Sequence, residues 1–400
     1  MNARKMKDSG IEWIGEIPEE WIVCKIKYLA TMKSGESIGA SEIANDGQYP
    51  VYGGNGLRGY TSAYTHDGKY ILIGRQGALC GNVRSVEGKF WATEHAVVVY
   101  EYDDIDIHWF KYSLDAMNLN QYSTSAAQPG LSVEQITNIL ACVPPFSEQK
   151  AIAGYLDEKC AAIDQVVASK QKQNEQLAEY RQSLITEAVN KGLKSSVLMK
   201  DSGIEWIGEI PVEWEVSALK YNANLVAEKS REMNSNRVYI GLENVLPYVG
   251  KIALGDEVET IGDTLSFCTG DVLFGKLRPY LAKCFFAEFD GVCSGEFFVI
   301  RDNGRMIGKY IKYLMLSEPF LNLVIGSTYG VKMPRASWEF VGNIKLPQPP
   351  LAEQKAIAAY LDKKCGEIDA LSESNKNIIE SLQEYKQSLI YEAVTGKIEL

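Results

Sequence analysis

The sequence predicts an α+β protein: two mixed α/β domains joined by two long antiparallel helices that form a coiled coil, the whole a pseudo-twofold tandem repeat. Three observations carry this. Met6–Trp21, MKDSGIEWIGEIPEEW, returns as Met199–Trp214 with Val212 in place of Glu19 as the only change. Pro144–Cys160, PPFSEQKAIAGYLDEKC, returns as Pro349–Cys365, PPLAEQKAIAAYLDKKC, and the match runs on to the C-terminus. Between these blocks the halves do not match, so one framework occurs twice and carries a different insert each time.

The divisions that follow are a first lead-in at 1–21, a first insert domain at 22–145, a long helix at 146–192, a linker and second lead-in at 193–214, a second insert domain at 215–350, and a second long helix at 351–400. In the inserts, YILIGR, AVVVY, DVLFGKL and EFFVIR are rich in β-branched and aromatic residues and predict strands, with turns at DGK, EGK and GGNG. Short helices are expected at Ile107–Asn118 and Met306–Leu316. Each insert ends in a Pro-Pro pair, which suits the first turn of the helix that follows.

From Ser147 to Asn190 there is no proline, and Ala, Glu, Gln, Lys and Leu dominate. In heptads, Ile152, Leu156, Ile163, Val166, Leu177, Tyr180 and Leu184 share a seam, as do Ile357, Leu361, Ile368, Leu371, Ile378, Leu382, Tyr385 and Leu389 in the second copy. Polar residues interrupt the seam at Lys159, Lys170, Gln173, Lys364 and Asn375 and fix register at some cost in stability. A rod of about 65 Å is too long to be stable alone. The two rods should pack antiparallel, with the inserts at opposite ends. Ile185, Val189, Ile390 and Val394 fall off the seam and form an apolar patch expected to bind a partner, unless each pair packs under its own insert.

Composition bounds the function. A chain of 400 residues with 46% apolar content predicts two or more globular cores. No run reaches the ~18 apolar residues of a membrane span, and MNARKMKDSG lacks a signal-peptide core, so a cytoplasmic protein without membrane contact is expected. The eight cysteines form no CxxC pair and lie near no histidine at ligand spacing, which predicts reduced, mostly buried thiols and no metal site. His66, His95 and His108 all fall in the first insert, so no histidine chemistry is common to both halves, and a hydrogen-bonded structural role is expected for each. The net charge of −11 argues against phosphate binding, but the second insert has as many Lys and Arg as Asp and Glu, and most of the acid lies in the framework.

Three near-matches to enzyme motifs fail on context. Gly54, Gly56 and Gly59 fit GxGxxG, yet YTSAY follows where a pyrophosphate-binding helix should begin. Gly270, Gly275 and Lys276 fit GxxxxGK, but Leu277 stands where magnesium needs Ser or Thr. VPPF, Val143–Phe146, resembles the Asn-Pro-Pro-aromatic loop of amino-methyltransferases without the Asn that accepts from the target amine. With no nucleophile–base pair and no carboxylate cluster, a binding protein rather than an enzyme is expected.

These blocks resemble the specificity (S) subunits of type I restriction-modification systems, over essentially the whole chain: KDSGIEWIGEIPxxW opens each half and PPxxEQKAIAxYLDxK closes it. The second insert resembles a recognition-domain type in YIGLENV from Tyr239, GDVLFGKLRPYLAK from Gly270, DGVCSGEFFVIR from Asp290 and TYGVKMPRASW from Thr328. The first, with YPVYGGNGLRGY and GRQGALCGNV, resembles another type. The resemblance implies a non-catalytic DNA-binding subunit whose two target-recognition domains read the halves of a bipartite, asymmetric double-stranded DNA site. It implies two methyltransferase (modification) subunits and the restriction/translocase subunits as partners. S-adenosylmethionine, ATP and Mg belong to those partners, with no cofactor on this chain.

Major-groove reading favours Arg or Lys on guanine and Asn or Gln on adenine, with Tyr on phosphate. The candidates are Asn55, Arg58, Tyr60, Arg75, Gln76 and Arg84 in the first insert, and Lys276, Arg278, Tyr280, Tyr329, Lys332 and Arg335 in the second. Two other classes stay open: a split-site methyltransferase or nuclease active alone, and a scaffold whose inserts bind protein rather than DNA.

Overall fold

A computed structural model of the chain describes residues 4–77, 79–123, 130–194, 196–228, 237–253, 264–328 and 333–400. The chain divides into two compact units: Met1–Lys170 with Asn377–Leu400, and Gln171–Lys376.

In the first unit the lead-in is a hairpin, β1 (Met6–Asp8) on β2 (Glu16–Pro18), that carries Ile17 and Trp21 into the core. The insert begins with β3 (Ile22–Lys25). Then β4 (Ala30–Ser34), β5 (Tyr49–Gly53), β6 (Gly56–Thr61), β7 (His66–Gly74), β8 (Val83–Ala92) and β9 (Ala96–Glu101) form one sheet in the order β4-β9-β7-β8-β5-β6, with only β5 and β8 parallel. The alternation of strand side chains sorts them onto two faces. Ile71, Ile73, Val97 and Val99 join the main core with Trp109 and Phe110 of α1 (Ile107–Ala116), while Leu72, Val86, Phe90 and Val98 build a smaller cluster on the other side. Asp106 caps α1 through the N–H groups of His108 and Trp109, and Ser132 caps α2 (Val133–Thr137). β10 (Leu140–Val143) returns to pair with β3, Val143 opposite Ile22, and Pro144-Pro145 lead into α3 (Phe146–Lys191).

The second unit repeats the plan: β11 (Met199–Asp201) on β12 (Glu209–Pro211), then β13 (Glu215–Ala218), α4 (Leu219–Asn222), β14 (Ala223–Val226), β15 (Val238–Ile240), β16 (Thr264–Phe267), β17 (Val272–Gly275), β18 (Cys284–Phe286), β19 (Gly291–Ser294), β20 (Phe297–Asp302), α5 (Gly308–Leu316), α6 (Glu318–Gly326), α7 (Trp338–Val341), β21 (Lys345–Gln348) and α8 (Leu351–Val394). Its main sheet runs β14-β20-β17-β18, the strand order of β4-β9-β7-β8 in the other insert, although the two sequences do not match. A three-stranded sheet, β15-β19-β16, covers its second face over Leu273, Phe297 and Val299. β21 pairs with β13 as β10 does with β3.

The repeated blocks are explained by what they hold. The indole N–H of Trp21 donates to Glu148 at 2.9 Å, and that of Trp214 to Glu353 at 2.9 Å. Gln149 accepts from the Asp106 N–H at 2.8 Å, and Gln354 from the Ile307 N–H at 2.9 Å. Tyr112 donates to Asp157 and Tyr313 to Asp362. Burial pushes the Asp362 carboxyl up, but the hydrogen bonds from Lys309 and Tyr313 and the charge of Lys312 outweigh it and hold the group below its usual range. The E of EQKAIAxYLD thus holds the tryptophan of the lead-in, and the Q and D fasten each helix to the short helix of its own insert.

Within each unit the long helices run antiparallel. In the second, Asn174 meets Asn375 at 3.0 Å and Arg181 meets Asp369. In the first, Asp164 meets Lys386 at 2.7 Å, while Glu148 and Gly396 both reach Trp21. Antiparallel pairing corrects the expected partner patch. Ile185 and Val189 are buried in the second unit's core with Trp214 and Tyr310, and Ile390 and Val394 in the first unit's core with Trp21 and Trp109. Each pair packs under the insert of the other copy, and none is left for a partner. The seam holds at Ile152, Leu156, Ile163, Leu184, Ile357, Leu361, Ile368 and Leu389, which are buried. Val166, Tyr180, Leu371, Ile378 and Tyr385 are instead exposed.

All eight cysteines are free; Cys268 is exposed and Cys24 half-buried, and the rest are buried. Burial pushes Cys284 and Cys293 up to about 12. Among the described residues, no group of three or more His, Cys, Asp or Glu could hold a metal ion, and no helix is long and apolar enough to cross a membrane.

Candidate nucleic-acid interface

In both inserts the central strand, β7 or β17, runs out into a loop that begins with glycine and a base: Gly74-Arg75-Gln76, and Gly275-Lys276-Leu277-Arg278. The same backbone bonds hold both loops. Arg75 N–H donates to the His95 carbonyl at 3.0 Å, and Lys276 N–H to that of Glu296 at 2.9 Å. On the other side, Leu131 N–H donates to the Arg75 carbonyl and Ala336 N–H to that of Lys276, each at 2.9 Å. Isolated bridges join Gln76 to Gly130 and Leu277 to Arg335. A hydroxyl sits at the same place in each: Thr93 Oγ1 accepts from His95 N–H at 3.4 Å, and Ser294 Oγ from Glu296 N–H at 3.3 Å. The base-bearing loop is therefore clasped between the start of β9 or β20 and the segment leading into α2 or α7.

The first insert adds the β5–β6 hairpin, whose tip packs onto this clasp through glycines. A Cβ on Gly54 would lie 3.0 Å from the Gln76 carbonyl oxygen and 3.1 Å from that of His95, and one on Gly74 would lie 2.3 Å from the Gly54 oxygen. Gly53 seats the stem of Arg58, whose Cδ would lie 2.7 Å from an added Cβ, and Gly56 seats the guanidinium of Arg84. Arg75 donates to Ser34 at 3.0 Å. The fold thus brings Asn55, Arg58, Arg75, Gln76 and Arg84 together around one tip, with Asn55, Arg58 and Gln76 exposed. Tyr60 lies apart, on β6 against Ala44.

In the second insert, Arg278 is exposed and left-handed at φ 51°, its N–H bonded to the Pro334 carbonyl at 2.8 Å. Tyr280 is exposed, and its carbonyl accepts from the Tyr248 hydroxyl. Lys276 lies over the Phe298 ring at 5.5 Å. Arg335 is held by Glu296 in a two-pronged pair at 3.2 and 3.0 Å. Tyr329 and Lys332 lie outside the described residues. Nearby, Lys283 donates to the Leu242 carbonyl, and burial pushes its ammonium below the usual lysine range against the pull of Glu243.

Sequence reasoning passed over the acids of the clasp, Glu94 and Glu296, because acids do not suggest DNA contact. His66 and His108 have polar partners as expected, while His95 Nε2 lies 3.4 Å from Glu94. His66 bonds Thr65 at 2.7 Å and Tyr100 at 2.8 Å and stacks on Phe90, and burial holds it below its usual range. His108 pairs with Asp157 at 3.0 Å.

Two tandem domains of one fold, each with a clasped basic loop on a shared helical scaffold, define a protein built to present two different recognition surfaces. Residues 18–179 and 211–384 match the family described as the type I restriction modification DNA specificity domain, and the chain belongs to that family, as a specificity (S) subunit. It is similar to the type I restriction enzyme EcoprrI specificity subunit of Escherichia coli, 48% identical over 131 residues, an alignment covering 32% of this chain and about a third (33%) of that one. The EcoDI specificity subunit of Escherichia coli is 22% identical over 407 residues, 96% of this chain and 90% of that one. The MjaVIII specificity subunit of Methanocaldococcus jannaschii is 25% identical over 424 residues, 96% and 94%. Among solved structures, a chain from work on complex assembly and conformational transition of the type I R-M system shares the fold at TM-score 0.69 and 13% identity, over 96% of this chain and 99% of that one. The HsdS subunit of Thermoanaerobacter tengcongensis gives TM-score 0.50 and 14% identity, over 96% and 98%.

Proposed function

We propose that this chain is the non-catalytic reading subunit of its restriction-modification complex and that its two domains read unlike halves of one bipartite, asymmetric duplex site. The observation that carries this is the clasp: one hydrogen-bonded frame in both inserts, filled by different side chains. Where the first domain sets Arg75-Gln76 and the hairpin tip with Asn55, Arg58 and Arg84, the second sets Lys276, Arg278, Tyr280 and Arg335. Arg on guanine and Asn or Gln on adenine are the contacts such a set can make. Tyr60, Tyr329 and Lys332 complete the proposed contact set.

In this reading two methyltransferase subunits, carrying S-adenosylmethionine, supply the chemistry, and restriction/translocase subunits with ATP and Mg join them. The exposed apolar residues of the long helices, Val166 and Tyr385 in one unit and Tyr180 and Leu371 in the other, are the surface we assign to the methyltransferase subunits.

Co-expression of the chain with its methyltransferase partner, followed by genome-wide mapping of methylated adenines, tests the proposal. A single bipartite motif with two different half-sites is expected. A stable complex that methylates at no motif would favour the protein-scaffold reading, and methylation or cleavage by the purified chain alone would favour the enzyme.

A further inference from the structure

We propose that Glu94 is a specificity-determining residue of the first recognition domain, accepting a hydrogen bond from the amino group of a cytosine in the first half-site. The inference rests on the DNA-reading function proposed above. Glu94 sits in the clasp between two fixed neighbours. Thr93 is buried with its N–H on the Tyr52 carbonyl at 2.8 Å, and the His95 carbonyl takes the Arg75 N–H. Its backbone is therefore tied to both the base-bearing loop and the strand that leads to the hairpin tip.

The chemistry at this point is out of keeping with phosphate binding. The tip carries amides and guanidiniums, Asn55, Arg58, Arg75, Gln76 and Arg84, and Glu94 adds a carboxylate to them. Beside phosphates a negative charge weakens association, so the acid acts on something other than the backbone. The domain does not satisfy it either: Oε2 is buried without a hydrogen-bond partner, and Oε1 lies 3.4 Å from His95 Nε2, longer than a good bond. An acceptor left desolvated and unpaired is costly, and a donor from a ligand would recover that cost. The side chain as a whole remains 42% exposed, so it can turn toward that donor.

The base edges decide which donor. In the major groove cytosine offers the N4 amino group, guanine offers only the acceptors N7 and O6, thymine offers the O4 acceptor, and adenine sets the N7 acceptor beside its amino group. A carboxylate is attracted by the first and repelled by the acceptors of the others, so it both selects cytosine and rejects its competitors. In the second domain Gly295 stands at the place of Glu94, and the neighbouring acid of that clasp, Glu296, is already engaged by Arg335. Acidic reading is thus assigned to the first half-site alone.

The test is methylation mapping with the full chain and its methyltransferase partner, comparing wild type, Glu94→Ala and Glu94→Gln. Wild type should show a C·G pair at a fixed position of one half-site. Glu94→Ala should relax that position, with discrimination falling roughly ten- to a hundredfold, and leave the other half-site intact. Glu94→Gln should shift the same position toward A·T, because Gln pairs with both N6 and N7 of adenine. An unchanged motif in both variants would overturn the inference while leaving DNA reading in place. If Glu94→Ala methylates nothing and Glu94→Gln keeps the wild-type motif, Glu94 is structural and the inference falls. Absence of any motif in wild type would remove the DNA-reading function and this inference with it.

Discussion

Gly56 shows how much of the first interface is set by an absent side chain. It adopts φ 99°, and a Cβ there would lie 2.1 Å from Nη1 and 2.6 Å from Cζ of Arg84. Gly56→Ala therefore meets two penalties: about 1–2 kcal/mol for a left-handed non-glycine residue and displacement of the guanidinium from its seat. Gly88 separates the two, since it has φ 89° with nothing within 4 Å of the Cβ position. Gly88→Ala should lower the melting temperature about as much as the backbone penalty requires and leave DNA binding intact. Gly56→Ala should in addition weaken binding to a duplex carrying the first half-site. Equal binding by the two variants would show that the Arg84 seat does not matter to recognition.

At the level of the helices, equivalent positions carry unequal ion pairs. Arg181 and Lys386 occupy matching places in α3 and α8, facing Asp369 and Asp164. Arg181 is only 7% exposed, also donates to the Val249 carbonyl at 2.8 Å, and shares Asp369 with Lys251 at 2.7 Å, whereas Lys386 is half-buried and Asp164 is exposed. Breaking a buried pair by removing one partner costs about 3–5 kcal/mol. An exposed pair is worth about 0–1 kcal/mol. Arg181→Ala should accordingly lower the denaturation midpoint strongly and Lys386→Ala hardly at all; similar effects would mean that the Arg181 network is screened. Sequence alone located both long helices, the strands in YILIGR, AVVVY, DVLFGKL and EFFVIR, and five residues that the fold gathers at one hairpin tip. It misplaced Val166, Tyr180, Leu371, Ile378 and Tyr385 in the seam, because a heptad records that an apolar stripe exists and not which part of it an insert or partner covers. Ile185 and Val189 were misread for the same reason: what buries them lies far away in sequence, in Trp214 and Tyr310. The clasp left no trace, since backbone N–H and carbonyl groups make it and almost any side chains can decorate it.

At the scale of the whole chain, the inserts behave as modules with equivalent sockets. Each enters and leaves through a two-stranded closure, Ile22 opposite Val143 in one and Glu215 opposite Gln348 in the other. Each is then fastened to its long helix by the same glutamine, tyrosine and aspartate contacts. Replacing residues 22–143 with a copy of 215–348 should therefore fold. It carries its own Ile307 N–H to meet Gln149 and its own Tyr313 to meet Asp157, while Lys309 and Lys312 bring two cations to a carboxylate that His108 now faces. If each domain reads one half-site, the exchanged chain must read the same half-site twice. Its orientation then reports the scaffold: the pseudo-twofold repeat expected from the sequence should give an inverted repeat, and a parallel placement a direct repeat. Methylation mapping of the exchanged chain with its methyltransferase partner should yield a palindromic motif built from the second half-site of the wild type. A direct repeat would refute the pseudo-twofold expectation without touching the modular reading. Retention of the wild-type asymmetric motif would show that specificity lies outside the inserts.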